Sequence, residues 1–105
     1  MKFISGCQAI AQGALDVGVR FYAGCPNDSV SELAGTMASE LPKTGGKFIQ
    51  MEDESAALAA AIGASSVGLK SMVATSSPGF TLLQEQISYA GLNEVPVVIV
   101  NSMQY

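Results

Sequence analysis

Histidine is absent from this chain, and that absence excludes more chemistry than any other. It removes the commonest general base, the commonest metal ligand and every Ser-His-Asp arrangement. Tryptophan is absent too, and cysteine is scarce. Cys7 and Cys25 form no Cys-x-x-Cys pair, so neither a zinc site nor an iron–sulfur cluster wholly within this chain is expected. A bond between the two is open in principle, but nothing signals secretion, and two buried free thiols are the expectation. Charge is also thin, at 13% of residues, with five basic against nine acidic side chains and a net charge of −4. No arginine-rich run offsets that balance, so neither nucleic acid nor an anionic membrane is expected as a partner. The longest apolar run, residues 95–100, is far too short to span a bilayer. No long apolar stretch follows Met1, so no signal peptide is expected and a cytoplasmic location is. What is abundant is small and apolar: 49% of residues are hydrophobic and eleven are glycine. That excludes a disordered or fibrous chain, and 105 residues make one domain.

Along the chain, helical patterns alternate with short β-branched runs. Ser5-Gly6-Cys7-Gln8 has the form of a capping box. The helix it opens runs to about Val17, with Ile10, Ala14 and Val17 on one face, and Gly18 closes it through the left-handed conformation. Phe21-Tyr22-Ala23-Gly24 is a short strand. Cys25-Pro26-Asn27-Asp28 is a turn, and Ser29-Val30-Ser31-Glu32 is a second capping box opening a helix to about Glu40. A loop over residues 41–46 leads to a strand at Phe48-Ile49-Gln50-Met51. Residues 55–67 are strongly helical, carrying Ala56, Ala57, Ala59, Ala60, Ala61 and Ala64; alanine combines the best helix propensity with almost no bulk. Such a smooth helix can lie unusually close to a sheet or to another subunit. Residues 71–75 form a third strand, residues 76–79 turn the chain into a helix over about 80–90, and Val97-Val98-Ile99-Val100 is a fourth strand.

Strands separated by helices of this length are not hairpins. They require βαβ crossovers and a mostly parallel sheet with helices on both faces, a three-layer α/β/α architecture. The fully apolar fourth strand fits a central position, buried on both sides. Ligands of such sheets bind beyond the carboxyl ends of the strands. Three segments fall there: Cys25 to Asp28, Glu52 to Glu54, and Thr75 to Gly79. Four strands make a thin domain, so a fragment or one piece of a larger assembly is expected.

Each of those segments admits two readings. Acids at Glu52-Asp53-Glu54 complement the dipole of the helix they precede, or one of them hydrogen-bonds a ligand nitrogen. Thr75-Ser76-Ser77-Pro78-Gly79 is a turn with a cap, or its hydroxyls and free N–H groups hold an anion. It is no P-loop, because Gly-x-x-x-x-Gly-Lys-Ser/Thr is missing. Asp28 is a turn acceptor or a catalytic group. Met51, Met72 and Met103 read as core or interface filler.

The stretch Gln50-Met51-Glu52-Asp53-Glu54-Ser55-Ala56-Ala57-Leu58-Ala59-Ala60-Ala61-Ile62-Gly63-Ala64-Ser65 resembles the amino-terminal part of the α subunit of 2-oxoacid:ferredoxin oxidoreductases. That group acts on 2-oxoglutarate, branched-chain 2-oxoacids and pyruvate. Phe21 to Pro26, Thr75 to Gly79 with Gln84-Glu85, and Glu94 to Asn101 match it in order and at similar spacing, over essentially the whole chain. The resemblance implies that residues 1–105 are a domain, or a fragment of one, binding the aminopyrimidine ring of thiamine diphosphate. Glu54 takes the position of the glutamate that hydrogen-bonds a ring nitrogen and favours the imino tautomer. A carboxylate buried against an alanine-rich helix is expected to have a raised pKa and to share a proton with that nitrogen. By the same resemblance, Cys25, Pro26, Thr75, Ser76, Ser77, Pro78 and Gly79 line the ring pocket, and Asn27, Asp28 and Gln104 face the substrate.

The resemblance further implies oxidative decarboxylation of a 2-oxoacid to an acyl-CoA, with electrons passed through iron–sulfur clusters to ferredoxin. No Gly-Asp-Gly with a downstream Asn occurs here, so a β subunit must supply magnesium and the diphosphate site. The clusters must also lie in partner subunits or domains, and the chain is expected to be inactive alone and to work in an oligomer. Two departures bear on the substrate. Where the family usually reads Tyr-Pro-Ile-Thr-Pro, this chain has Cys25-Pro26-Asn27-Asp28-Ser29, which puts the acid Asp28 where a threonine would bind the substrate carboxylate. The family's arginine after the last strand has Gln104 in its place or lies shifted. Both changes weaken the hold on an anion, because charge-assisted pairs are the strong ones. Two competing readings remain: a subunit of a non-oxidative thiamine-dependent decarboxylase such as sulfopyruvate decarboxylase, and an interaction module that has lost catalysis.

Overall fold

The computed structural model describes residues 6–24, 31–51, 53–76 and 83–102. Among these residues four helices and four strands alternate: α1 (Gly6–Asp16), β1 (Phe21–Gly24), α2 (Ser31–Glu40), β2 (Lys47–Gln50), α3 (Glu54–Ser66), β3 (Ser71–Ser76), α4 (Gln84–Leu92) and β4 (Val98–Ser102). A short 3₁₀ turn, Leu41–Thr44, joins α2 to β2. Of the two expected capping boxes, Ser5 and Ser29 lie outside the described residues, whereas Gly18 closes α1 at φ 95° as its lack of a Cβ permits. The fourth helix is described from Gln84 and runs two residues past the expected end at 90.

All three strand pairings are parallel and the order is β2-β1-β3-β4. Strand alternation divides the core between two faces. On one, Tyr22, Met72 and Ala74 pack against Ala11 of α1 and Leu33 and Met37 of α2, and Val100 joins them. Tyr22 stacks on its register partner Phe48, with centroids 5.3 Å apart. On the other, Phe21 and Ala23 lie under Ala57, and Val73 lies under Leu58 and Ala61 with Ile87, Val97 and Ile99 alongside. The alanine side chains of α3 are what let this helix sit over two strands at once. Polar groups on this face are tied to backbone: the buried Ser71 hydroxyl donates to Ala61 O at 2.8 Å, and Ser65 Oγ to Pro96 O.

One expectation differs from the structure. Among the described residues the apolar run at 97–100 lies at one end of the strand order and not at its centre: β4 pairs there with β3, and Val98 is 47% exposed. The central strands are β1 and β3, whose residues 21–24 and 71–75 are all buried. On α1 Ala11 is buried, and Ile10, Ala14 and Val17 share one face as expected, with Ile10 and Val17 exposed. These two side chains line a shallow apolar groove with Val98 and Val100 of β4. A long apolar run reports affinity for burial, and strand order decides whether burial follows.

Candidate functional site

In an open parallel sheet a ligand sits at the carboxyl ends of the strands, where successive crossovers leave in opposite directions. Here β1 connects to β2 on one side and the next crossover passes back over β1 to β3, so that point lies between β1 and β3. Gly24 ends the first of these strands and Thr75-Ser76 the second. Thr75 is fully buried and sits in register with Asn101 of β4. Both occupy the face covered by α3 and α4, as the packing of Val73 and Ile99 on that face fixes the alternation.

The first turn of α3 adjoins the same edge. Asp53 is extended at φ −146° and ψ 172°, and its Oδ1 accepts the Ala56 N–H at 2.8 Å, so Asp53 is the N-cap. The two readings of the acidic trio therefore separate by residue. Asp53 does the capping. Glu54 opens the helix, half-buried, and makes no hydrogen bond or ion pair with another described residue. Glu52 lies outside the described residues. The amino end of α4 closes against this turn, where Gln86 Nε2 donates to Ser55 O at 3.0 Å.

Of the expected site residues, Glu54, Thr75 and the backbone of Ser76 are brought to this edge. Cys25, Pro26, Asn27, Asp28, Ser77, Pro78, Gly79 and Gln104 lie outside the described residues. In the sequence Asn101 stands out only as the last residue of the stretch Glu94 to Asn101. Its Oδ1 is buried without a hydrogen-bond partner among the described residues. The signal was there, an amide directly after four apolar residues, but its face depends on the register with β3. A separate apolar cavity of about 470 Å³, lined by Val19, Ser65, Leu69, Lys70 and Val97 among others, lies at the opposite, amino-terminal edge. The Lys70 ammonium there already donates to Val17 O at 2.7 Å.

Residues 12–104 match the family described as pyruvate flavodoxin/ferredoxin oxidoreductase, thiamine diP-bdg, that is, thiamine-diphosphate-binding. The chain belongs to this family. It is 54% identical over 101 residues to the 2-oxoglutarate synthase subunit KorA of Methanocaldococcus jannaschii, covering 96% of this chain and 28% of that one. With the VorB subunit of ketoisovalerate oxidoreductase from Methanothermobacter thermautotrophicus it shares 37% identity, over 98% of this chain and 29% of that one. Among solved structures it superposes, at TM-score 0.93 and 38% identity, on a 2-oxoglutarate:ferredoxin oxidoreductase from Magnetococcus marinus with 2-oxoglutarate, coenzyme A and succinyl-CoA bound. That match takes in 96% of this chain and 18% of the other. The chain thus spans less than a third of the length of these relatives.

The acceptors at the carboxyl edge fit an aminopyrimidine. A half-buried carboxylate and an orphaned amide oxygen are both acceptors. An amino-substituted ring with a protonatable nitrogen supplies the N–H groups such acceptors require. Among the described residues no group of three or more His, Cys, Asp or Glu side chains could hold a metal ion. Nor is any helix among them long and apolar enough to cross a membrane.

Proposed function

We propose that residues 1–105 form the aminopyrimidine-binding part of a thiamine-diphosphate-dependent 2-oxoacid:ferredoxin oxidoreductase that converts a 2-oxoacid to an acyl-CoA. The single observation that carries the reading is the carboxylate of Glu54, without a partner among the described residues, at the first turn of α3 beside the carboxyl edge of a sheet whose family binds this cofactor. When bound, thiamine diphosphate supplies a carbanion-stabilising electron sink. Glu54 hydrogen-bonds a nitrogen of the aminopyrimidine and shares its proton, while α3, seated on the sheet by Ala57 and Ala61, holds that carboxylate in place. Cys25, Pro26 and Thr75-Ser76-Ser77-Pro78-Gly79 line the ring pocket. Asn27, Asp28 and Gln104 face the substrate.

The higher identity to 2-oxoglutarate synthase subunits than to a ketoisovalerate enzyme favours 2-oxoglutarate as substrate. Asp28 and Gln104 lower the affinity for its carboxylates relative to a site carrying threonine and arginine. A β subunit contributes the magnesium–diphosphate site. Further subunits or domains hold the iron–sulfur clusters, with CoA and ferredoxin as co-substrates, all in the cytoplasm. Glu54→Gln in the assembled complex tests the core of this reading. The expected result is a loss of about 10²- to 10⁴-fold in cofactor-dependent, 2-oxoacid-driven ferredoxin reduction. Unchanged turnover would overturn it. Decarboxylation without ferredoxin reduction would assign the chain to a non-oxidative decarboxylase instead.

A further inference from the structure

Polar side chains with buried oxygens on the α3/α4 face of the sheet include two kinds. The Ser71 and Ser65 hydroxyls, toward the amino-terminal edge, donate to the carbonyls of Ala61 and Pro96 and so tie strands and loop to the helix. Asn101, at the carboxyl edge, is different: its Oδ1 is out of contact with water and has no partner among the described residues. An amide oxygen in that state costs its full desolvation and returns nothing to the described fold, and such a group calls for a partner outside the described residues. Its neighbours say where that partner sits. Asn101 is paired in register with buried Thr75 at the end of β3. It shares the sheet face over which α3 begins at Glu54, and the first turn of α4 is hydrogen-bonded to that of α3 through Gln86 and Ser55.

We propose that Asn101 is a ligand-binding residue of this edge, its Oδ1 accepting a hydrogen bond from the exocyclic amino group of the bound aminopyrimidine. The argument rests on the function proposed above and adds a second protein contact to it. Donor chemistry selects the group. An amide oxygen only accepts, and the carboxylates of a 2-oxoacid only accept as well, so the substrate anion cannot satisfy it. An aromatic amine carries two N–H donors and can. With Glu54 on a ring nitrogen and Asn101 on the amine, the ring is held at two points and its rotation about the helix end is removed.

The test is a titration of the assembled complex with thiamine diphosphate and with its analogue lacking the exocyclic amine, followed by calorimetry. The wild-type complex is expected to bind the analogue about fivefold more weakly, the worth of one neutral hydrogen bond. In Asn101→Leu, which keeps the branched heavy-atom shape and removes the acceptor, that difference should shrink below about twofold. Asn101→Asp, which keeps the acceptor, should retain discrimination. The cofactor-free Asn101→Leu complex should unfold at the same temperature as wild type or higher, because no satisfied bond is lost. Undiminished discrimination in Asn101→Leu, or a lower unfolding temperature without cofactor, would overturn the proposal and leave the Glu54 reading intact. No saturable binding of thiamine diphosphate by the wild-type complex would overturn both.

Discussion

Replacing Ala57 by leucine puts the close seating of α3 to the test. Ala57 is 1% exposed and sits directly over Phe21 and Ala23 of β1, with Ile49 and Met51 at its flank. An isobutyl group has no free volume there, so either the helix lifts or the β1 side chains leave their rotamers. Overpacking of this kind costs about 1–3 kcal/mol. For a cooperative unit of roughly this size, each kcal/mol lowers the melting temperature by about 4–8 °C. Ala57 lies one turn after Glu54, so a lifted helix also moves the carboxylate; a displacement of about 1 Å can cost about 10²-fold in activity. Differential scanning calorimetry of the assembled complex, with and without thiamine diphosphate, reads the first effect, and ferredoxin reduction reads the second. Ala59→Leu is the control, since Ala59 is exposed on the same helix and should change stability by no more than about 0.5 kcal/mol. If Ala57→Leu behaved like Ala59→Leu in both assays, the claim that small residues seat α3 and fix Glu54 would be wrong.

Loss of the N-cap in Asp53→Ala should destabilise the domain by about 1 kcal/mol, and Asp53→Asn should recover most of that, because the amide oxygen still accepts the Ala56 N–H; thermal melts of the three complexes rank them. A Cβ on Gly46 would stand 2.7 Å from Arg20 O and 2.9 Å from Leu41 Cδ2. The same carbonyl accepts the Lys47 N–H at 2.9 Å, the bond that leads the chain into β2 beside β1. Gly46→Ala should therefore cost about 1–3 kcal/mol, read as a lower melting temperature, with a wild-type-like value counting against the close approach. Gly45→Ala strains the chain by a different route, through its φ of 82°, and should lower the melting temperature as well.

Local chemistry was legible in the sequence. The alternation of elements, the left-handed close of α1 at Gly18, the alanine helix and the parallel sheet all follow from residues within a few positions of one another, where hydrogen bonds and side-chain spacing act. The acids before α3 were legible as a pair of competing roles. Their separation, Asp53 to the helix and Glu54 left unpartnered, required the backbone conformation at residue 53. Tertiary structure alone decided the rest. Residues 97–100 have the composition of a central strand, yet among the described residues β4 lies at one end of the order, because which strands pair depends on segments far away in sequence and no local window carries that. The same holds for Asn101. Its place in the chain says only that an amide follows an apolar run; the register of β4 on β3 turns that amide to the α3/α4 face and leaves its oxygen buried beside the edge where Glu54 begins its helix.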